Sequence, residues 1–120
     1  MLRTATTDTF TEGVLEASLN KLVVVDFWAT WCSPCRMLKP ILEKISEEAD
    51  VAELVDFVLI DVEINSELAD QYQVSGTPTV IFFKDGVEVG RKVGMMLKPD
   101  FAIAMGEHLN LPEPDATPAS

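Results

Sequence analysis

The sequence predicts an α/β domain in which four helices flank a central, mixed, five-stranded sheet. Two apolar runs rich in β-branched residues, Leu22–Trp28 and Glu53–Val62, are typical of strands buried on both faces of a sheet. Segments with helical periodicity alternate with these runs, and this alternation indicates a partly parallel sheet covered by helices. A hairpin signal at Lys84-Asp85-Gly86 adds antiparallel pairing near the end of the chain, so the sheet is expected to be mixed.

The first half of the chain contributes two strands and two helices before the second apolar run. Residues Thr4–Asp8 are a possible edge strand, and the spacing of Thr9 and Glu12 matches a capping box at the start of a helix. A second helix is expected from Ser33, because its apolar positions fall on one face: Leu38, Ile41, Leu42, Ile45 and Ala49. Pro40 lies inside this helix, where a kink is expected.

The second half adds two helices and the hairpin. A short helix is expected after a cap at Asn65 or Ser66, and the hairpin strands are Thr79–Phe83 and Val87–Val93. Pro99 and Asp100 open a last helix, whose predicted face carries Phe101, Ala104, Met105, His108 and Leu109. We therefore expect one domain over residues 1–109, followed by a flexible C-terminal tail, 110–120, that is rich in proline and small polar residues.

Composition excludes several classes of function. The chain has 120 residues, 48% of them hydrophobic, and a formal net charge of −11. Such a charge repels nucleic acid phosphates and an anionic membrane surface, so neither is an expected partner. The sequence contains neither a run of about 18 apolar residues nor a signal-peptide pattern, so we expect a cytoplasmic protein.

The two cysteines of the chain, Cys32 and Cys35, lie where the first buried strand gives way to a helix. A helix N-terminus offers unpaired N–H groups and a partial positive charge, and both favour a thiolate at Cys32. Cys35 lies one turn further along the same side, a spacing compatible with a disulfide. Pro34 fits the first helical turn, where its missing N–H does no harm.

Four interpretations of this cysteine pair remain open from the residues alone. A zinc site needs about four ligands, and the chain offers only one histidine, His108, besides the cysteines. A structural disulfide would not persist in a reducing compartment, and two buried free thiols are also possible. The favoured interpretation is a redox pair, in which Cys32 attacks a substrate disulfide and Cys35 resolves the mixed disulfide.

Four separated motifs resemble the thioredoxin family in order and spacing. The four motifs are Val25–Cys35, which includes Trp28–Cys35, and then Gly76–Thr79, Phe82–Gly86 and Val93-Gly94. The resemblance covers residues 4 to 109. It implies the thioredoxin fold, protein-disulfide reductase activity through Cys32 and Cys35, and no bound prosthetic group. It also implies disulfide-containing protein substrates and reduction of the spent enzyme by a thioredoxin reductase.

The resemblance also assigns roles to residues outside the cysteine pair. Asp26, inside an apolar strand, is expected to be a buried carboxyl that takes the proton of Cys35. Pro78 is expected to follow a cis peptide bond, with the Thr77 backbone pairing with an extended substrate segment. The remaining expected substrate contacts are Trp31, Ser33, Pro34, Gly76, Gly94 and Met95, whereas Trp28 is expected to pack in the core.

Two positions depart from the family pattern. Ser33 replaces the usual glycine between the cysteines, which leaves the reduction potential open. Leu59 stands where the family often has a lysine beside the buried aspartate, and this loss is expected to raise the pKa of Asp26 further. An oxidase or isomerase using the same pair, or a non-catalytic docking module on the same fold, are the alternative functions.

Overall fold

Five strands form one mixed sheet in the structure, a computed structural model that describes residues 2–109. The sheet order is β1-β3-β2-β4-β5. The first three strands in that order pair in parallel, whereas β4 is antiparallel to both β2 and β5. The strands are β1 (Leu2–Thr4), β2 (Leu22–Trp28), β3 (Val55–Asp61), β4 (Thr79–Lys84) and β5 (Val87–Val93). The predicted mixed five-stranded α/β architecture is therefore confirmed.

Helices cover both faces of this sheet. The N-terminal helical segment consists of a π-helical stretch, Thr11–Glu16, and a 3₁₀ turn, Ala17–Leu19. The α-helices are α1 (Ser33–Ser46), α2 (Ala49–Leu54), α3 (Ser66–Gln71) and α4 (Lys98–His108). The four predicted helical regions are all present, and α2 is an additional short helix that the sequence pattern did not predict.

Alternate residues of β2 point into two separate cores, because successive strand side chains face opposite sides of a sheet. Val24 packs on one face with Leu38 of α1 and Phe101 of α4. Val25 packs on the other face with Phe10 and Phe83. The central strands are thus buried on both sides, as their continuous apolar runs predict, and they provide a rigid base for the end of β2.

The prediction of an edge strand over Thr4–Asp8 is wrong, because β1 ends at Thr4. Arg3 fixes β1 beside β3 by donating hydrogen bonds to Asp56 Oδ2 at 2.9 Å and to the Gly13 carbonyl at 2.6 Å. The Thr9 hydroxyl accepts a hydrogen bond from the Thr6 N–H at 2.9 Å. Thr9 therefore stabilises a turn, and the predicted capping box does not form.

Ala49 does not continue the face of α1, as was predicted, but begins α2. The Ser46 hydroxyl donates to the Glu43 carbonyl at 2.8 Å, a local bond that competes with helix continuation. Glu48 is extended, with ψ of 125°, so the chain turns before α2. As a result, β3 begins at Val55, two residues later than the apolar run suggested.

The predicted hairpin is confirmed. Asp85 and Gly86 form its two-residue turn with φ of 55° and 84°, the left-handed conformation in which glycine costs little. Buried Ser18 holds this turn, because its carbonyl accepts from the Asp85 N–H and its hydroxyl accepts from the Gly86 N–H, both at 2.8 Å. The predicted tail, residues 110–120, lies outside the described residues.

Candidate active site

Cys32 occupies the N-cap position of α1, four residues after β2 ends at Trp28. Its backbone is extended, with φ of −85° and ψ of 114°, and its N–H donates to the Ala29 carbonyl at 3.1 Å. The Sγ of Cys32 accepts a hydrogen bond from the Cys35 N–H at 3.2 Å. A sulfur atom thus takes the capping role that serine or aspartate oxygens usually fill. Once the disulfide is reduced, this donor and the helix dipole favour negative charge on the sulfur.

Cys35 lies one turn into α1 and is completely buried, whereas Cys32 retains 5% of its accessible surface. Pro34 lies in the first turn of α1, where no N–H is required. The two cysteines form a disulfide with a Cα–Cα distance of 5.2 Å. The arrangement has the asymmetry that exchange chemistry needs, with one sulfur near the surface and one shielded behind it.

Asp26 is a fully buried carboxyl on β2, facing the core that α1 covers. Neither of its oxygens has a hydrogen-bond partner within residues 2–109. It pairs with Val80 of β4 and with Leu59 of β3, so an aliphatic side chain occupies the neighbouring cross-strand position on its face. Burial raises the pKa of the Asp26 carboxyl from 3.8 to about 7.

The Thr77–Pro78 peptide bond is cis, as the family resemblance implied. The Thr77 carbonyl oxygen lies 3.6 Å from Cys32 Sγ, so this loop faces the disulfide directly. The Thr79 hydroxyl braces the loop by donating to the Gly76 carbonyl at 2.6 Å. Gly94 has φ of 98° and donates its N–H to the Pro78 carbonyl at 2.8 Å. The structure therefore brings the predicted loop residues to one side of Cys32.

Most of the other predicted site residues have exposed side chains. Trp31 is 66% exposed and Met95 is 38% exposed. Trp28 is half-buried and packs against the buried cysteines, with the Lys39 ammonium 5.5 Å from its ring centroid. Ser33 and Pro34 are both exposed at the start of α1, and Gly76 is exposed in the loop before β4.

Sequence reasoning missed one residue at this site, Glu63. The Trp31 indole N–H donates to Glu63 Oε2 at 2.9 Å, and this contact fixes an otherwise exposed aromatic ring. Asp61 shapes the loop that carries Glu63, because its Oδ1 accepts from the Glu63 N–H at 2.8 Å. No local pattern signals such a contact, because Trp31 and Glu63 are separated by 32 positions along the chain.

Residues 2–109 show neither a metal-binding cluster nor a membrane-spanning helix. No group of three or more His, Cys, Asp and Glu side chains in this range is arranged to hold a metal ion. No helix in the same range has the length and apolar character needed to cross a membrane.

Comparison with known proteins decides the family. The thioredoxin family model matches residues 1–106. The chain belongs to the thioredoxin family. Thioredoxins of Staphylococcus aureus strains N315 and USA300 are each 43% identical to it over 86 residues, which cover 72% of this chain and 81% of theirs.

Solved thioredoxin structures agree with this assignment. The thioredoxin of Malassezia sympodialis superposes with a TM-score of 0.78 at 33% identity, covering 89% of this chain and 92% of that one. The thioredoxin of Fasciola hepatica gives a TM-score of 0.68 at 38% identity, covering 77% of this chain and 86% of that one. The predicted thioredoxin fold is thereby confirmed.

Family membership and the cysteine geometry together define the class of chemistry. The thioredoxin family model spans the Cys32–Cys35 disulfide. The chain is therefore a thiol–disulfide oxidoreductase, and the prediction of an enzyme of the protein-disulfide reductase class is confirmed.

Proposed function

We propose that this thioredoxin-family protein reduces protein disulfides in the cytoplasm by dithiol–disulfide exchange through Cys32 and Cys35. The observation that carries the proposal is the hydrogen bond from the Cys35 N–H to Cys32 Sγ at the start of α1. It favours the anionic form of the sulfur that lies nearer the surface, and the anion is the nucleophile in exchange.

The exchange proceeds in two steps. The Cys32 thiolate attacks one sulfur of the substrate disulfide, forms a mixed disulfide and releases the other substrate sulfur as a thiolate. The Cys35 thiolate then attacks Cys32 Sγ, which forms the Cys32–Cys35 disulfide and releases the second substrate thiol. The substrate gains two electrons and two protons, and the enzyme dithiol loses them.

Asp26 is the proposed base for the second step. Cys35 is buried and must lose its proton before it attacks. Asp26 is a buried carboxyl on the sheet face that α1 covers, and its oxygens have no hydrogen-bond partner in residues 2–109. A carboxyl with a pKa of about 7 exchanges protons readily near neutral pH. Leu59 supplies no charge beside it, so water is the proposed link between Asp26 and Cys35.

The surface around Cys32 is the proposed substrate contact. The Thr77 carbonyl faces Cys32 and offers a hydrogen-bond acceptor to an extended substrate segment. Met95 offers an adaptable apolar contact, because methionine side chains are flexible and polarisable. The other proposed contacts are Trp31, Ser33, Pro34, Gly76, Pro78 and Gly94.

A thioredoxin reductase is the proposed partner that returns the disulfide to the dithiol. The cycle needs an external electron donor, because each turnover leaves Cys32 and Cys35 oxidised. The net charge of −11 favours partners and substrates with basic surfaces near their reactive groups.

Insulin reduction by the wild-type protein and by Cys32→Ser tests the proposal. We expect the wild type to precipitate insulin B chain with dithiothreitol as donor and Cys32→Ser to be inactive. Equal activity of the two proteins would contradict catalysis through Cys32 and favour a docking module. A reduction potential near that of protein disulfide isomerase, about −180 mV, would favour the oxidase or isomerase alternative.

A further inference from the structure

A groove between β5 and α4 opens beside the proposed substrate site. Its volume is about 300 Å³, at the lower end of the range for pockets that hold small ligands. Its lining includes buried Met96 and Ala104 and the more exposed Met95 and Ile103. We call this feature the β5–α4 groove. It accommodates a few side chains of a peptide and is too small for a large cofactor.

The groove is continuous with the loops that face the disulfide. The Thr77 carbonyl lies 3.6 Å from Cys32 Sγ, and the Pro78 carbonyl accepts from the Gly94 N–H at 2.8 Å. Met95 follows Gly94 directly and is itself a lining residue of the groove. An extended segment that contacts Thr77 and continues past Gly94 therefore enters the β5–α4 groove.

The groove extends along α4 from the end of the helix that follows Gly94 and Met95. Ile103 lies five residues after the start of α4 at Lys98, which is about 8 Å along a helix axis. An extended peptide covers that distance in two or three residues. The groove is therefore positioned for side chains that lie a few residues away from a substrate cystine.

Charges at the mouth of the groove favour one kind of segment. Glu107 lines the groove, and its carboxylate has no ion-pair partner in the described part of the chain. Asp100 also lines the groove, and its Oδ2 accepts a hydrogen bond from the Leu97 N–H at 2.8 Å. Lys92 is the one cation of the lining. The lining therefore carries two carboxylates, Asp100 and Glu107, and one ammonium, Lys92, so its net charge is negative.

We infer that the β5–α4 groove is a specificity subsite that binds an apolar residue followed by a basic residue, a few positions from the substrate cystine. The inference rests on the proposed reductase function and deepens it. Ile103 and Met95 contact the apolar side chain, and Glu107 pairs with the basic one. The subsite adds affinity for particular protein substrates and takes no part in the exchange of bonds.

Single-turnover reduction by the prereduced protein tests the subsite. The substrates are cystine peptides carrying Leu-Arg two to five residues from the disulfide, the same peptides with Gly-Ser, and the small disulfide 5,5′-dithiobis(2-nitrobenzoic acid). We expect Ile103→Ser to lower the rate constant for the best Leu-Arg peptide about fivefold, a size typical of a half-buried aliphatic side chain. Its rates with the Gly-Ser peptide and the small disulfide should not change.

Leu54→Ser is the matched control for Ile103→Ser. Leu54 is 46% exposed and Ile103 is 43% exposed, but Leu54 precedes β3 at the end of the sheet opposite Cys32. We expect Leu54→Ser to leave all three rates unchanged. Glu107→Lys should reverse the charge preference, so that a Leu-Glu peptide is reduced faster than the Leu-Arg peptide.

Other outcomes separate this inference from the proposed function. If the wild type fails to reduce even the small disulfide, the proposed function is wrong. If it reduces all substrates but Ile103→Ser slows none of them, or slows all of them equally, the subsite is wrong and the reductase function stands. If Ile103→Ser changes the sedimentation coefficient without changing the peptide preference, the groove is a contact between two copies and the subsite is overturned.

Discussion

The backbone N–H of Cys35 points at Cys32 Sγ across 3.2 Å, from the first turn of the helix that the same sulfur caps. The residue proposed to attack Cys32 thus also donates a hydrogen bond to its sulfur, which would favour the anion in the reduced protein. The donor is a backbone amide, so this hydrogen bond requires no side chain other than that of Cys32.

Reduced Cys32 should react with iodoacetamide at pH 7 about tenfold faster than a small free thiol. The physical reason is a rise in the thiolate fraction from a few per cent to about half. The measurement is the alkylation rate of each cysteine, followed by mass spectrometry after prereduction. Cys32→Ser is the control, because buried Cys35 should remain slow; a Cys32 rate equal to that of the free thiol would refute the capping argument.

Asp26→Asn should slow the release of the mixed disulfide about a hundredfold and leave its formation nearly unchanged. An amide cannot accept the Cys35 proton, and general-base catalysis contributes at least this factor. The measurement is stopped-flow kinetics with a fluorescent disulfide peptide.

The pH profile of the same reaction distinguishes a base from a structural residue. In the wild type, release should accelerate as pH rises through about 7, where Asp26 ionises. Asp26→Asn should lose that inflection, whereas exposed Asp70→Asn should keep it. Equal slowing of formation and release by Asp26→Asn would count against the proposed role.

Asp26 should also make the oxidised protein less stable as pH rises. Its pKa is 3.8 unfolded and about 7 folded, so the folded state binds more protons between these values and the free energy of unfolding falls across that window. The total is about 4 kcal/mol, since each pH unit corresponds to about 1.4 kcal/mol.

Urea unfolding at pH 4 and pH 8 measures this effect. The stability of Asp26→Asn relative to wild type should increase by about 4 kcal/mol between the two pH values. Asp70→Asn, at an exposed position, should give no such increase. A constant difference between Asp26→Asn and wild type would mean that Asp26 ionises like a free carboxyl.

Gly90→Ala should destabilise the protein by about 1–3 kcal/mol, the usual cost of overpacking. A Cβ at Gly90 would lie 2.8 Å from the His108 ring. That ring cannot move away freely, because its centroid lies 4.9 Å from that of the Phe82 ring, and because Lys84 Nζ donates to the His108 carbonyl at 2.9 Å.

Thermal unfolding checks the Gly90→Ala prediction. Gly76→Ala is the control, because a Cβ there meets nothing within 4 Å. Adding His108→Ala to Gly90→Ala should make the combined loss smaller than the sum of the two single losses. Additive losses would mean that the His108 ring is not the obstacle.

Features of this fold that depend on local chemistry were predictable from the sequence. The cysteine pair at the strand-to-helix junction and the turn at Asp85-Gly86 follow from residue types at fixed spacing. The buried carboxyl of Asp26 was predictable from its apolar neighbours with the help of the family resemblance.

Features that depend on distant partners were not predictable. β1 is placed by Arg3 reaching Asp56, which lies 53 positions later in the chain, so propensity at Thr4–Asp8 misplaced the strand. Trp31 is held by Glu63 through a contact that no periodicity encodes. One local feature was also missed: the break before Ala49 depends on Ser46 and an extended Glu48, a detail finer than helical periodicity resolves.

The hydrogen bonds of Ser18 fix one end, the turn, of the β4–β5 hairpin. β4 and β5 meet at that turn, and their other ends lead to Pro78 and Gly94. Strands of this length span about 20 Å, so the two hydrogen bonds of Ser18 hold the hairpin at the end far from Pro78 and Gly94. Ser18 therefore anchors the hairpin whose far end carries the loops of the proposed substrate contact.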